Sequence, residues 1–211
     1  MKNILCFGDS NTWGYTPLTG ERYSGDVRWT GVLQDVLGDA YRVIEEGLNG
    51  RTTLHNEEER PYRSGLDLLP VLIESHAPLD LAVIMLGTND LKPRFQRNAR
   101  GIAEDVKTLC QGATRCESFI ASAGQILLVS PTHINACPDE YAPDFSGTIE
   151  ASQAFSEHYQ SVAEELGIHF LDAAQIVKTN TLDGVHWDAD QHREFGAGIA
   201  FAVKRIFDRP A

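Results

Sequence analysis

A chain of 211 residues, 42% hydrophobic and 23% charged, has the composition of a soluble globular protein and can bury a substantial core. Its 30 acidic and 18 basic residues give a formal net charge of −12, which repels phosphate backbones and anionic lipid and argues against nucleic-acid or membrane-surface partners. The nearest basic stretch, KPRFQRNAR at 92–100, holds only four cations and reads as a solvated loop and helix start, and no apolar run approaches the roughly 20 residues that span a bilayer.

The first apolar segment, NILCF (3–7), reads as a strand. The beginning of the chain shows neither the apolar stretch nor the small-residue cleavage site of a signal peptide, so the expected location is the cytoplasm. The cysteines agree: Cys6, Cys110, Cys116 and Cys137 have neither CxxC spacing nor a dense framework, and Cys6 reads as a small core hydrophobe. After the strand comes FGDSNTWG, where Gly8 permits a tight turn and Ser10 begins the next segment. A hydroxyl there suits a nucleophile at the sheet edge, although Asp9 or Ser10 capping a turn explains the same letters. Neither GxGxxG, GxxxxGK[ST] nor GxSxG is present, which removes the usual nucleotide-binding loops and the nucleophile elbow of α/β-hydrolases.

VRWTGVLQDVLG (27–38) places Trp29, Val32, Leu33, Val36 and Leu37 on one helical face and stops at Gly38. The second strand, YRVIEEG (41–47), leads into EEGLNGRTT, where Gly50 could bring a bare backbone N–H close to a ligand or simply serve a loop. A helix over 64–76 precedes LDLAVIMLG (79–87), a nearly continuous hydrophobic run of the kind found in strands covered on both faces. GTND follows; the Asn89 amide suits an uncharged oxyanion donor, and equally an Asx-turn. A helix over 99–113, a strand over 125–131, a helix over 148–167 ending at Gly167 and a strand over 168–173 complete the alternation before a final helix over 190–207. Entering that helix, LDGVHWDADQHR holds Asp183 and His186 three residues apart. The carboxylate could hold the imidazole in one tautomer, while a DG turn or a metal site competes for the same residues. No HExxH and no zinc spacing supports metal.

Strands alternating with helices, without repeats or linkers, predict one α/β domain over 1–211: a three-layer sandwich around a five-stranded parallel sheet. Ligands in such sheets gather at the carboxyl ends of strands. Ser10, the His186–Asp183 pair and three donors (the N–H groups of Ser10 and Gly50 and the Asn89 amide) make up the parts for acyl transfer through a tetrahedral intermediate. Of the other histidines, His158 and His169 read as structural, and His133 after the fourth strand is held in reserve. Trp13 and Trp187 flank the two halves of the site and either wall a small acyl or aryl pocket or pack in the core.

In this order, GDSNTWG, the Gly50 loop, GTND and DGVH resemble the four blocks of the SGNH (GDSL-type) hydrolases, and they span nearly the whole chain. ILCFGDSNTWGY, RWTGVL, VIEEGLNGRTT, LDLAVIMLGTNDLK and DGVHW look like the bacterial arylesterase and acyltransferase branch. The resemblance implies a flavodoxin-like fold and metal-free, cofactor-free ester hydrolysis on small-molecule esters, with acyl transfer to alcohols or peroxide in some members. It makes Ser10 the nucleophile, His186 the base and Asp183 its orienter, with Ser10, Gly50 and Asn89 as oxyanion donors and Asp9 a turn former. Asn11 stands where the motif has leucine and is expected to touch the pocket or to alter a turn, leaving the catalytic parts intact. The long segments 56–65 and 135–147 are expected to be lids or interfaces, and the branch implies a homo-oligomer. Two alternatives stand beside this: a carbohydrate O-acetylesterase, using the same apparatus on sugar acetates, and a small-ligand-binding flavodoxin-like domain whose polar loops grip a small anion.

Overall fold

The computed structural model describes residues 1–138, 142–145 and 147–208. Five strands, β1 (Lys2–Gly8), β2 (Tyr41–Gly47), β3 (Leu81–Met85), β4 (Gln125–Ser130) and β5 (His169–Asp172), form one parallel sheet in the order β2-β1-β3-β4-β5. This is the flavodoxin-like strand order, in which the chain changes direction across the sheet between β1 and β3. The helices in chain order are α1 (Ser10–Trp13), α2 (Trp29–Leu37), α3 (Gly65–Ser75), α4 (Ala99–Ala113), α5 (Glu117–Ala121), α6 (Ala142–Phe145), α7 (Ile149–Gln153), α8 (Phe155–Leu166) and α9 (Ala189–Asp208).

Alternation along each strand divides the core. Leu5, Phe7, Ala82, Ile84, Ile126 and Leu128 face α3, α4 and α8, whereas Ile4, Cys6, Val83, Leu127 and Val129 meet Trp29 and Leu33 of α2 with Phe195, Ile199 and Val203 of α9. Both faces are covered, which is why β3 and β4 read as unbroken hydrophobic runs. All four cysteines are free; burial, with a smaller push from Glu45, raises the Cys6 thiol, and burial takes Cys110 to about 12.

Two helical expectations need correction. Val36 is 43% exposed and does not share the buried face of Trp29, Leu33 and Leu37. The helix expected over 148–167 is broken at Ala154 into α7 and α8. Ser152 is the physical cause: its hydroxyl donates to the Ile149 carbonyl (2.6 Å) and accepts from the Ile134 N–H (2.9 Å), tying the first turn to the β4 exit. No described helix is long and apolar enough to cross a membrane.

The register sets up the site. Gly8 pairs with Gly47 on one side and Met85 on the other, so β2, β1 and β3 end nearly level. The turns that follow them therefore rise side by side at the carboxyl edge, next to the change of direction.

Candidate active site

Ser10 starts α1 immediately after β1, and Asp9 caps it by accepting the Asn11 N–H at 3.0 Å. Burial raises the Asp9 carboxyl to about 6, against the opposing pull of the Asn11 N–H and of His186, Arg51 and Lys92. Ser10 Oγ lies 2.9 Å from His186 Nε2 across 176 residues of sequence. His186 Nδ1 lies 2.8 Å from Asp183 Oδ2, while Asp183 Oδ1 accepts the N–H groups of Val185 (2.9 Å) and His186 (2.8 Å). Burial alone would raise Asp183; its hydrogen bonds and the His186 charge outweigh that and hold it below the usual carboxylate range. Gly184 makes the turn between them with φ +77°, and a Cβ there would strike the carbonyls of Asn135 and Ala136. The DG dipeptide and the His–Asp pair are thus one device: the turn aims the imidazole.

Gly50 also has φ +77°, and its N–H, like that of Ser10, meets no acceptor among the described residues. Asn89 follows β3 and donates one amide hydrogen to the Arg51 carbonyl (3.1 Å), which fixes the amide and leaves its second hydrogen available. Ser10, Gly50, Asn89 and His186 line one cavity of about 220 Å³. The structure therefore brings together all five residues that the sequence singles out for acyl transfer.

The pocket expectations fare differently. Trp187 is fully buried, its Nε1–H donating to Thr132 Oγ1 (3.0 Å) while its ring packs on Phe195. Trp13 lies outside the cavity lining, with Arg22 over its ring. Asn11 is buried too, and both ends of its amide are engaged: Nδ2 donates to the Val185 carbonyl (3.2 Å) and Oδ1 accepts the Trp187 N–H (3.0 Å). The residue that departs from the family motif thus clamps the segment carrying His186, with bonds that a leucine cannot make. The cavity wall is built instead by Tyr15, Asn49, Arg60, Thr88, Lys92, Asp144, Phe145 and Val185. Tyr15 stacks on His186 with ring centroids 4.1 Å apart. Arg60 comes from the 56–65 segment, and Asp144 and Phe145 from 135–147, so both long segments reach the site; residues 139–141 and 146 lie outside the described residues. His133 is exposed and does not line the cavity.

Behind the cavity, His55, Asp90 and Asp105 bring ligand-type atoms within 4.8 Å of one another. Their oxygens are already engaged: Asp105 takes both the Nε and Nη2 of Arg97, and Asp90 accepts the N–H (2.9 Å) and hydroxyl (2.6 Å) of Thr53. Asp90 thereby ties the Gly50 loop to the Asn89 turn. Burial, reinforced by the Asp105 charge, raises Asp90 to about 7 despite the Thr53 bonds. A folded-state value above the unfolded one means that this stabilisation is complete below about pH 4 and is lost as pH rises through 7. Urea unfolding at pH 5 and 7.5 should therefore show wild type losing roughly 2 kcal/mol relative to Asp90→Asn over that interval. Parallel pH profiles for the two proteins would contradict the shift.

Comparison with known proteins bears on the family and the fold. The model of the GDSL-like lipase/acylhydrolase family matches residues 6–194. A carbohydrate acetylesterase from Sinorhizobium meliloti superposes with a TM-score of 0.95 at 35% identity, covering 98% of this chain and all of the other. The M. smegmatis aryl esterase gives 0.93 at 36% identity, covering 97% and 99%. An acetylxylan esterase from Xylanibacter ruminicola is 24% identical over 219 residues; the match takes in 95% of this chain but only 43% of that relative's length.

Proposed function

Since this chain belongs to the GDSL-like lipase/acylhydrolase family, we propose that it is a serine esterase acting on short acyl and aryl esters through an acyl-enzyme formed on Ser10. The carrying observation is the continuous relay from Asp183 through His186 to Ser10, with 2.8 and 2.9 Å steps. Asp183 accepts the Nδ1–H, so Nε2 presents its lone pair to Oγ. As Oγ attacks the carbonyl carbon, Nε2 takes the hydroxyl proton. The carbonyl oxygen becomes an anion held by the Ser10 and Gly50 N–H groups and the Asn89 amide. Collapse expels the alcohol, which receives the proton from His186. A water molecule, or an alcohol or peroxide acceptor, then attacks the acyl-serine with His186 as base.

The small cavity favours a short acyl group, and the acetyl and aryl ester relatives share this architecture. A fluorophosphonate probe should label Ser10 in the folded protein, and 4-nitrophenyl acetate should be hydrolysed; folded protein that does neither would be a binding domain. Rates on acetylated xylan against 4-nitrophenyl acetate rank the carbohydrate and aryl readings. Asn89→Ala should lower kcat by roughly 10²–10³ with little change in KM, because the amide acts on charge that develops only in the transition state. A loss confined to KM would remove Asn89 from that role.

A further inference from the structure

A neutral acetyl ester brings no charge into the cavity, yet two cations line it: Arg60 beside Gly50, and Lys92 in the turn that carries Asn89. Lys92 is only 6% exposed. Among the described residues its ammonium has no hydrogen bond and no ion pair within 4.0 Å; the contact it does make is with the Phe145 ring, 5.6 Å from the centroid. Arg60 donates Nη2 to the Asn49 carbonyl (3.0 Å) and has no carboxylate partner among the described residues. A Cβ on Gly50 would lie 2.8–3.1 Å from its guanidinium, so this cation sits directly against the Gly50 turn.

Arg94 rather than Lys92 takes one oxygen of each nearby carboxylate, while Glu57 Oε1 is buried with no hydrogen-bond partner among the described residues. Arg94 holds Glu57 at 2.9 Å and Asp144 at 2.6 Å. Burial lowers the Lys92 ammonium from its usual range, with Asp144 and Glu57 offsetting this only in part and Arg94 and Arg60 adding to it. A buried cation without a partner is costly, and a bound anion relieves that cost. The pattern runs against the whole: a chain of net charge −12 keeps beside its serine two cations that have no carboxylate partner within 4.0 Å among the described residues.

We propose, resting on Ser10 as the nucleophile, that the cavity selects esters bearing a carboxylate or an equivalent anion a few bonds from the scissile carbonyl, held by Lys92 with help from Arg60. The anion can belong to the acyl part or to the alcohol part, and two substrate pairs separate these. 4-Nitrophenyl hemiglutarate against its methyl ester, followed by nitrophenol release, puts the charge on the acyl side. 4-Acetoxybenzoate against its methyl ester puts it on the alcohol side.

In at least one pair, wild type should favour the anion by about ten-fold or more in kcat/KM, and Lys92→Met should bring that ratio to within about two-fold of unity. Arg60→Gln should reduce it less. A measurement free of substitutions supports these: glutarate or benzoate should inhibit wild type at least about ten-fold more strongly than the corresponding amide. Ratios near unity in both pairs, or a Lys92→Met loss equal for charged and neutral esters, overturn the proposal while leaving the esterase intact. Failure to hydrolyse any of the four esters, with no fluorophosphonate labelling, removes the nucleophile assignment itself and the anion site with it.

Discussion

Ser10→Ala should abolish 4-nitrophenyl acetate hydrolysis, with kcat falling by roughly 10⁶, while the chain stays folded. Among the described residues, Ser10 Oγ is bonded only to His186 Nε2, and the cap of α1 is supplied by Asp9 rather than by Ser10. Removing the hydroxyl thus deletes the attacking atom and little else. Oxyanion donors without a nucleophile leave only weak residual catalysis. Far-ultraviolet circular dichroism and a thermal melt should overlay those of wild type. Retention of wild-type turnover in the purified variant would show that the acyl group is carried elsewhere.

Asp183→Asn should cost about 10⁴ in kcat, through the tautomer of His186 rather than through the fold. Oδ1 of Asp183 is held by two backbone N–H groups, at 2.9 and 2.8 Å. An asparagine that keeps those bonds must present its NH₂ to His186 Nδ1, which then has to accept. The ring proton moves to Nε2 and points at Ser10, so the imidazole can no longer take the hydroxyl proton. Nitrogen chemical shifts of the His186 ring report the tautomer directly, and kinetics report the loss. A variant with less than a ten-fold decrease would mean that Asp183 only shapes the turn.

Much of this was legible in the sequence because the chemistry lies in short turns tied to strand ends. The strands announce themselves as hydrophobic runs, and GDS, GTND and DGVH each keep their functional atoms within a few residues of a strand or helix boundary. The walls of the cavity were not legible. Trp13 and Trp187 are next to the site in sequence, but helical and loop geometry turns both away, and Tyr15, two residues beyond Trp13, stacks on His186 instead. Arg60 and Phe145 come from long connectors, whose paths depend on tertiary contacts rather than local pattern. Asn11 is a related case. A polar residue beside a nucleophile suggests substrate contact, whereas its partners, the backbone of Val185 and Trp187, are more than 170 residues away.

That separation has a consequence for how activity arises during synthesis. The serine leaves the ribosome 176 residues before its proton acceptor. Until α9 docks and the Asn11 amide bridges the two segments, a nascent chain carries an ordinary alcohol with no base beside it. Reactivity is thereby withheld from every partly made or early-folding intermediate, and chemical competence becomes a readout of finished folding.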